Sequence, residues 1–120
     1  MNIARFLLTV TLSFAALQAS AQDAVRVQIA TSEGDIVAEL YPTKAPKTVA
    51  NFLQYVKDKH YEGTVFHRVI SNFMVQGGGY DQQFKERKTR PPVPHEGRES
   101  LAAGLKNQIG TLAMARTNDP

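Results

Sequence analysis

The sequence has no cysteine among its 120 residues. This absence excludes a disulfide framework, a lipoprotein attachment thiol and any thiolate ligand for a metal ion. A chain of this length is long enough for the core of one small domain. We therefore expect a single domain that folds without covalent cross-links.

Long hydrophobic runs are also absent, and the longest apolar stretch, residues 6–17, is too short to span a bilayer. It follows a single charge at Arg5 and precedes a triplet of small residues at 19–21, which suits a signal-peptide cleavage site. The pattern predicts a secretory signal peptide over residues 1–21 and a mature chain from Gln22, with no stable membrane association after cleavage. An uncleaved membrane anchor is the disfavoured alternative, because nothing apolar extends the segment.

A large net charge is lacking as well, since the formal charge is +3, or +2 once Arg5 is removed. A charge of this size gives no argument for nucleic-acid binding. The basic residues at positions 85, 87, 88 and 90 are interrupted by Glu86, and no aromatic side chains that could stack on bases lie between them. We therefore expect no nucleic-acid partner and predict that this basic cluster is a solvated loop.

The sequence does contain a clear alternation of apolar and polar residues after the first segment. The alternation covers residues 25–30 and again residues 36–40, and the four residues 32–35 between them are turn formers. The pattern predicts a β-hairpin with one buried face.

An amphipathic helix is predicted to follow. Its apolar residues Val49, Phe52, Leu53 and Val56 are spaced i, i+3, i+4 and i+7, and Pro46 stands where a first helical turn tolerates proline. The helix should end near residues 57–59.

Three further segments complete the secondary-structure prediction. Two β-rich runs, Thr64–Ile70 and residues 73–76, are joined by a turn at residues 71–72. Residues 85–99 contain three prolines and many charges, which predicts a long surface loop. Residues 112–115 are predicted to form a last short strand.

This chain lacks the residues that several kinds of catalytic site require. His60, His67 and His95 share no metal-ligand spacing. The triple glycine at residues 77–79 is not followed by the lysine and hydroxyl residue of a phosphate loop, and no G-x-S-x-G elbow supplies a nucleophile. Because paired carboxylates in apolar surroundings are absent too, we expect no metal, no cofactor and no acid-base or covalent catalysis.

Arg68 offers a different chemistry, because an arginine donates hydrogen bonds but does not transfer protons. If the two β-rich runs pair, Arg68 and Gln76 would lie close together beside Phe73 and Met74. A donor at the rim of an apolar patch suits rotation about X-Pro peptide bonds, whose barrier of roughly 18–20 kcal/mol comes from amide resonance. That reaction needs an apolar pocket for the proline ring and a donor that favours the twisted amide.

Four segments then point to a family: A-P-K-T-V at residues 45–49, F-H-R-V-I at 66–70, F-M-V-Q-G-G-G at 73–79 and G-T-L-A-M-A-R-T at 110–117. Together and in this order they resemble the signature motifs of the cyclophilin-type peptidyl-prolyl isomerases, most closely those of the exported, periplasmic bacterial branch. The similarity runs from residue 25 to residue 120. It is far more specific than any single segment.

The resemblance implies a mainly β fold, a closed eight-stranded antiparallel β-barrel capped by two helices, with a proline-binding groove on its outer face. It implies a peptidyl-prolyl cis-trans isomerase without a cofactor, which accelerates X-Pro bond rotation in the folding of exported proteins in the periplasm. The expected partners are proline-containing polypeptide clients and cyclosporin-type ligands. The chain is expected to be a monomer.

The resemblance also implies roles for individual residues of this chain. Arg68 matches the catalytic arginine, and Gln76 matches the glutamine that helps to orient the arginine and the peptide. Phe73 and Met74 match wall residues of the proline pocket. Taken singly, each has a plainer interpretation, because most arginines are surface charges and apolar strand residues usually belong to the core.

Ala115 and Arg116 match a strand whose backbone pairs with the bound peptide. The later pocket residues, the last three strands and the second helix of the family have no counterpart in the sequence. We therefore expect residues 22–120 to be the N-terminal part of an isomerase domain with about five strands and one helix, poorly folded and inactive by itself. A non-catalytic proline-peptide-binding or chaperone module is the alternative function.

Overall fold

The computed structural model describes residues 24–118. The predicted signal peptide, residues 1–21, lies outside the described residues. In chain order the elements are β1 Val25–Thr31, β2 Gly34–Leu40, α1 Pro46–Lys57, β3 Thr64–Ile70, β4 Met74–Asp81 and α2 Gly97–Ala102. Neither helix of this part of the chain is long and apolar enough to cross a membrane.

β1 and β2 form the hairpin predicted from the alternating residues. They pair antiparallel from Val25 opposite Leu40 to Thr31 opposite Gly34, which leaves only residues 32–33 in the loop. Gly34 has a φ of +122°, a conformation that residues other than glycine rarely adopt. Burial alternates along β1, as expected for a strand with one covered face.

α1 begins at Pro46, as predicted, but no side chain at its own N-terminus caps the first turn. The cap comes instead from Glu96, whose carboxylate accepts hydrogen bonds from the backbone N–H groups of Lys47 at 3.2 Å and Thr48 at 2.6 Å. A negative charge at this end also complements the helix dipole. The helix is therefore completed by a residue that lies far along the chain.

The best-buried side chains lie on α1. Val49 and Tyr55 are the two buried hydrophobic residues of the described chain. The ring centroid of Tyr55 lies 4.7 Å from that of His60 and 6.0 Å from that of Tyr61, and Phe52 lies 5.3 Å from Tyr61. Burial, and then the nearby Tyr55, raises the pKa of Tyr61 to about 12. The predicted apolar stripe of α1 is therefore confirmed at Val49 and Phe52, whereas Val56 is 44% exposed and the buried Tyr55 was not part of the stripe.

β3 and β4 form a second antiparallel hairpin, which confirms that the two β-rich runs pair. Its register places Arg68 opposite Gln76, and it shifts at two places on the N-terminal side of Arg68. Such shifts mark β-bulges, which bend a strand and re-aim its side chains. Asn72 in the turn has a φ of 57°, a left-handed conformation that asparagine tolerates. β4 continues beyond the predicted run to Asp81.

The prediction of one long surface loop over residues 85–99 is wrong in part. Tyr80 and Glu86 form an isolated β-bridge, and α2 begins at Gly97. The hydroxyl of Ser100 donates a hydrogen bond to the carbonyl oxygen of Glu96 at 2.8 Å, which supports the first turn of α2. The prolines and charges just before Gly97 obscured this short helix in the sequence.

The predicted strand at residues 112–115 is also wrong, because this stretch has no regular secondary structure. An alternating pattern indicates which side chains share a face, but a strand also needs a neighbouring backbone to bond with. The described residues therefore form four strands and two helices, not about five strands and one helix. The strands lie in two separate two-stranded sheets, β1 with β2 and β3 with β4.

Candidate active site

The centre of the candidate site is a pair of polar side chains that the second hairpin brings together. Arg68 on β3 and Gln76 on β4 are register partners, and Nη1 of Arg68 donates a hydrogen bond to Oε1 of Gln76 at 3.3 Å. The side chain of Arg68 is exposed and that of Gln76 is half-buried. The sequence prediction that these two residues lie close together is confirmed.

The orientation of the pair leaves donors for a bound chain. Because Oε1 of Gln76 accepts from Arg68, the amide NH₂ group of Gln76 remains a donor. The guanidinium of Arg68 has five N–H groups in a rigid plane and gives only one of them to Gln76. The pair can therefore hold a peptide carbonyl or amide without taking or giving a proton.

Apolar side chains surround the tip of the same hairpin. Phe73 is 75% exposed, Met74 is half-buried, and the register partners Val69 and Val75 are 67% and 59% exposed. An open groove of about 980 Å³ lies between this tip and residues 107–113. Phe73 and Met74 line the groove, so the structure places both predicted pocket residues on one apolar surface close to the Arg68–Gln76 pair in sequence and register.

The opposite wall of the groove was not identified from the sequence. It is formed by residues 107–111 and Ala113. Gly110 has a φ of +83°, and Thr111 closes a turn in which its backbone N–H donates to the carbonyl of Gln108 and its hydroxyl accepts from the N–H of Gln108, both at 3.2 Å. A glycine followed by a threonine was the sequence signal that would have indicated this turn.

Ala115 and Arg116 lie outside the groove lining. Both are exposed and belong to a stretch without strand structure. The backbone edge that the resemblance places at these residues is therefore not formed in the described residues.

Two glycines let β4 pass close to aromatic rings just after Gln76. A Cβ atom on Gly77 would lie 2.6 Å from Cδ1 of Phe66, and one on Gly78 would lie 2.9 Å from Cδ1 of Tyr61. Gly78 also has a φ of +89°. These close approaches require glycine at both positions and leave the backbone beside the site free of obstructing side chains.

Arg87 also holds the glycine segment in place through hydrogen bonds. Its backbone N–H donates to the carbonyl of Gly79 at 2.8 Å, and its guanidinium donates to the carbonyls of His60 at 3.2 Å and Glu62 at 2.8 Å. Nε2 of His60 in turn lies 3.1 Å from the carbonyl oxygen of Gly78. The prediction of a solvated basic cluster is therefore wrong for Arg87, which is half-buried and bonded to the protein.

His67 lies next to Arg68 in sequence but makes different contacts. Its ring centroid is 4.5 Å from that of Tyr80, and its Nδ1 atom is buried without a hydrogen-bond partner in the described residues. In the described residues, the ring nitrogens of His67 make no hydrogen bond to Arg68 or Gln76. In residues 24–118 no group of three or more histidine, aspartate or glutamate side chains could hold a metal ion.

Comparison with known proteins shows which family this chain resembles. Residues 26–120 match the family model described as cyclophilin type peptidyl-prolyl cis-trans isomerase/CLD. A peptidyl-prolyl cis-trans isomerase of Streptomyces antibioticus is 52% identical over 94 residues, covering 78% of this chain and 54% of the relative. Isomerase B of Escherichia coli is 49% identical over 90 residues, covering 75% of this chain and 52% of the relative. The chain thus spans about half the length of these relatives.

Proposed function

Because the chain belongs to the cyclophilin-type peptidyl-prolyl cis-trans isomerase family, we propose that it accelerates cis-trans rotation about X-Pro peptide bonds. One observation carries the proposal, the hydrogen-bonded pair of Arg68 and Gln76 next to an apolar groove. This combination suits a reaction that needs neither a nucleophile nor a proton carrier.

The proposed mechanism lowers the barrier that amide resonance creates. When the X-Pro bond twists, the nitrogen lone pair leaves conjugation and becomes a better hydrogen-bond acceptor than in the planar amide. Arg68 donates to the twisted amide, Gln76 orients both the guanidinium and the peptide, and the proline ring lies against Phe73 and Met74. A ten-thousandfold acceleration requires about 5.4 kcal/mol of preferential binding of the twisted state. A charge-assisted hydrogen bond in a partly desolvated groove supplies part of this, about 2.7–4 kcal/mol for one well-placed donor.

The proposal extends to the fold of the whole domain. We propose that the two hairpins are parts of a closed eight-stranded barrel capped by two helices. Exposed apolar side chains on both hairpins support it, among them Ile36, Val37, Val69 and Val75. A barrel would cover one face of each hairpin and pair their free edges.

The proposed setting is the periplasm, with residues 1–21 as the export signal. In that setting the clients would be proline-containing segments of exported proteins, bound by one monomer at a time. The groove lies next to a single arginine-glutamine pair, which suits recognition of one proline and its neighbouring backbone. Cyclosporin-type ligands would compete for the same groove.

An isomerase assay of the complete domain, of which residues 22–120 are expected to be the N-terminal part, on a short X-Pro peptide tests the proposal. We expect Arg68→Ala to remove at least about 99% of the catalysed rate, which corresponds to about 2.7 kcal/mol or more in the barrier. Arg26→Ala is the matched control, because Arg26 is also an exposed strand arginine, paired with Glu39 on the other hairpin. The control should keep its full rate.

The same assay distinguishes catalysis from simple binding. Line broadening of a labelled X-Pro peptide reports binding, and exchange between its cis and trans signals reports rotation. Full turnover by Arg68→Ala would refute the role of Arg68. Binding by the unaltered protein with no faster exchange would identify a non-catalytic proline-binding module instead.

A further inference from the structure

β4 changes its pairing partner within the glycine run. Up to residue 77 its register partners lie on β3, whereas residues 78–80 together face a single residue of β3. Two of these three residues have a partner elsewhere, because Gly79 accepts from the backbone N–H of Arg87 and Tyr80 forms a β-bridge with Glu86. Gly78 has no β-pairing partner within the described residues. It therefore stands where β4 passes from one neighbouring strand to the next.

The side chain of His60 takes the place of the missing partner. Its Nε2 atom lies 3.1 Å from the carbonyl oxygen of Gly78. Because a carbonyl oxygen only accepts, Nε2 carries the hydrogen of this bond. The ring of Tyr61 lies against the same glycine, where an added Cβ would stand 2.9 Å from Cδ1 of the tyrosine. Gly78 is thus held by side chains of the segment that follows α1.

His60 is itself fixed by its ring and by its backbone. The ring centroid lies 4.7 Å from that of Tyr55 and 5.3 Å from that of Tyr61, both in edge-on contacts. The backbone N–H of His60 donates to the carbonyl of Tyr55 at 3.0 Å, and its carbonyl accepts from Nη1 of Arg87 at 3.2 Å. Since Tyr55 is buried on α1, the imidazole connects the core to the glycines of β4.

The position of Gly78 bears directly on the Arg68–Gln76 pair. Gln76 precedes Gly78 by two residues, and the bond from Nη1 of Arg68 to Oε1 of Gln76 is 3.3 Å, which is long for N–H···O. Glycine restricts the backbone least, so the segment that follows Gln76 depends on outside contacts for its place. A displacement of about 1 Å in the groups that position a substrate can cost about a hundredfold in rate.

We propose, on the basis of the isomerase function proposed above, that His60 is a positioning residue for the reaction. Through its bond to the Gly78 carbonyl it fixes the backbone that presents Gln76 to Arg68. His60 does not line the groove, so it acts on the substrate only through Gln76. A histidine that merely stabilised the aromatic core would instead affect folding and leave turnover of the folded domain unchanged.

Three variants of the complete domain test the proposal in the X-Pro peptide assay. His60→Phe keeps a ring beside Tyr55 and removes the donor, so kcat should fall about tenfold while KM changes less than about twofold. His60→Gln carries an amide N–H as far from the backbone as Nε2 and should recover at least about half of the rate. Tyr55→Phe is the matched control, because it removes a hydroxyl that accepts from the N–H of Arg90 in the same cluster. Its kcat should stay within about twofold.

A double-mutant cycle with Gln76→Ala separates positioning from stability. In that background His60→Phe should lower kcat by less than about a further twofold, because the group that His60 positions has been removed. A loss of stability alone would act equally in both backgrounds. The rates are compared at a temperature at which circular dichroism shows every variant to be folded.

Nuclear magnetic resonance of the labelled domain gives a readout that does not depend on catalysis. The side-chain amide signals of Gln76, identified by their loss in Gln76→Ala, should shift in His60→Phe, return in His60→Gln and stay in place in Tyr55→Phe. If the unaltered domain does not accelerate X-Pro rotation, the proposed function fails, and the Gln76 signals alone decide whether His60 positions this side chain.

Three results would overturn the role of His60. The first is a His60→Phe variant that leaves the Gln76 signals unmoved. The second is an equal fall in kcat for His60→Phe with and without Gln76. The third is a His60→Gln variant as slow as His60→Phe, which would show that the hydrogen bond to Gly78 is not what the reaction requires.

Discussion

At the scale of single residues, the three adjacent glycines of β4 differ in what surrounds them. Gly78 has a φ of +89° and lies against the ring of Tyr61, whereas Gly79 has no positive φ and nothing within 4 Å of where a Cβ would stand. A Cβ atom on Gly77 would collide with the ring of Phe66. The run of identical letters in the sequence therefore conceals three different structural requirements.

This difference gives a prediction within one short segment. Gly78→Ala should lower the free energy of unfolding by about 1–3 kcal/mol, because alanine is strained at a positive φ and its Cβ meets Tyr61. Gly79→Ala should change the free energy of unfolding by less than about 0.5 kcal/mol or raise it slightly, since alanine has less freedom than glycine in the unfolded chain. Urea unfolding followed by circular dichroism measures both. Equal losses for the two variants would contradict the assigned backbone geometry.

At the scale of elements, α1 depends on a carboxylate from outside the helix. Burial alone would raise the pKa of Glu96, but hydrogen bonds from the backbone of Thr48 and Lys47, the Thr48 hydroxyl and the charge of Lys47 together hold this pKa below its ordinary value of 4.5. A lowered pKa in the folded state means that the ionised carboxylate stabilises the fold.

The stabilisation by Glu96 should depend on pH in a defined direction. It is fully present above the unfolded-state pKa near 4.5 and is lost as the pH falls through the lower folded-state pKa. Glu96→Gln should therefore lower the free energy of unfolding by about 0.5–1 kcal/mol at pH 7 and by less at pH 3. The loss is at the low end for a helix cap because the site is open to solvent. Glu99→Gln, in the first turn of α2, is the control and should show no such change. A cost for Glu96→Gln that is the same at both pH values would exclude a charge-dependent cap.

At the scale of the whole molecule, apolar side chains stay on the surface of both hairpins while burial is concentrated on α1. Val69 and Val75 face each other across β3 and β4 and are both mostly exposed, whereas Val49 is buried. Exposed apolar strand residues favour association between chains.

Replacing this valine pair should therefore change association more than stability. Residues 22–120 without the rest of the domain should self-associate through this surface. The double variant Val69→Thr, Val75→Thr should shift them toward the monomer in sedimentation velocity, because threonine keeps the β-branched shape and adds a hydroxyl to the exposed surface. Its free energy of unfolding should fall by less than about 1 kcal/mol. Val49→Thr, the buried control, should instead destabilise the fold. Unchanged sedimentation of the double variant would show that association, if present, uses another surface.

Local features of this molecule could be predicted from the sequence, and distant contacts could not. The helix from Pro46 follows from a spacing of 3.6 residues, and the Arg68–Gln76 pair follows from two strands joined by a tight turn. In both cases the interacting residues are near in sequence. The missing strand at residues 112–115 shows the limit, because alternation does not identify a pairing partner.

The contacts that support the site illustrate the same limit. Arg87 bonds to His60 and Glu62, 27 and 25 residues earlier, and Glu96 reaches Thr48 across 48 residues. These side chains occur in a segment whose prolines and charges are typical of a solvated loop. Only the path of the folded chain shows that they fasten it to α1 and to the glycines of β4.

The long-range cap on α1 also bears on the order in which the chain acquires structure. A chain is synthesised from its N-terminus, so residues 46–57 are made before residue 96 exists. Until then, the first turn of α1 has no carboxylate to bind its free N–H groups. A short helix of this kind is marginal without tertiary support, and closing a long loop is an entropic cost that must be met first. We therefore expect the first turn of α1 to form late in folding, once Glu96 can reach it.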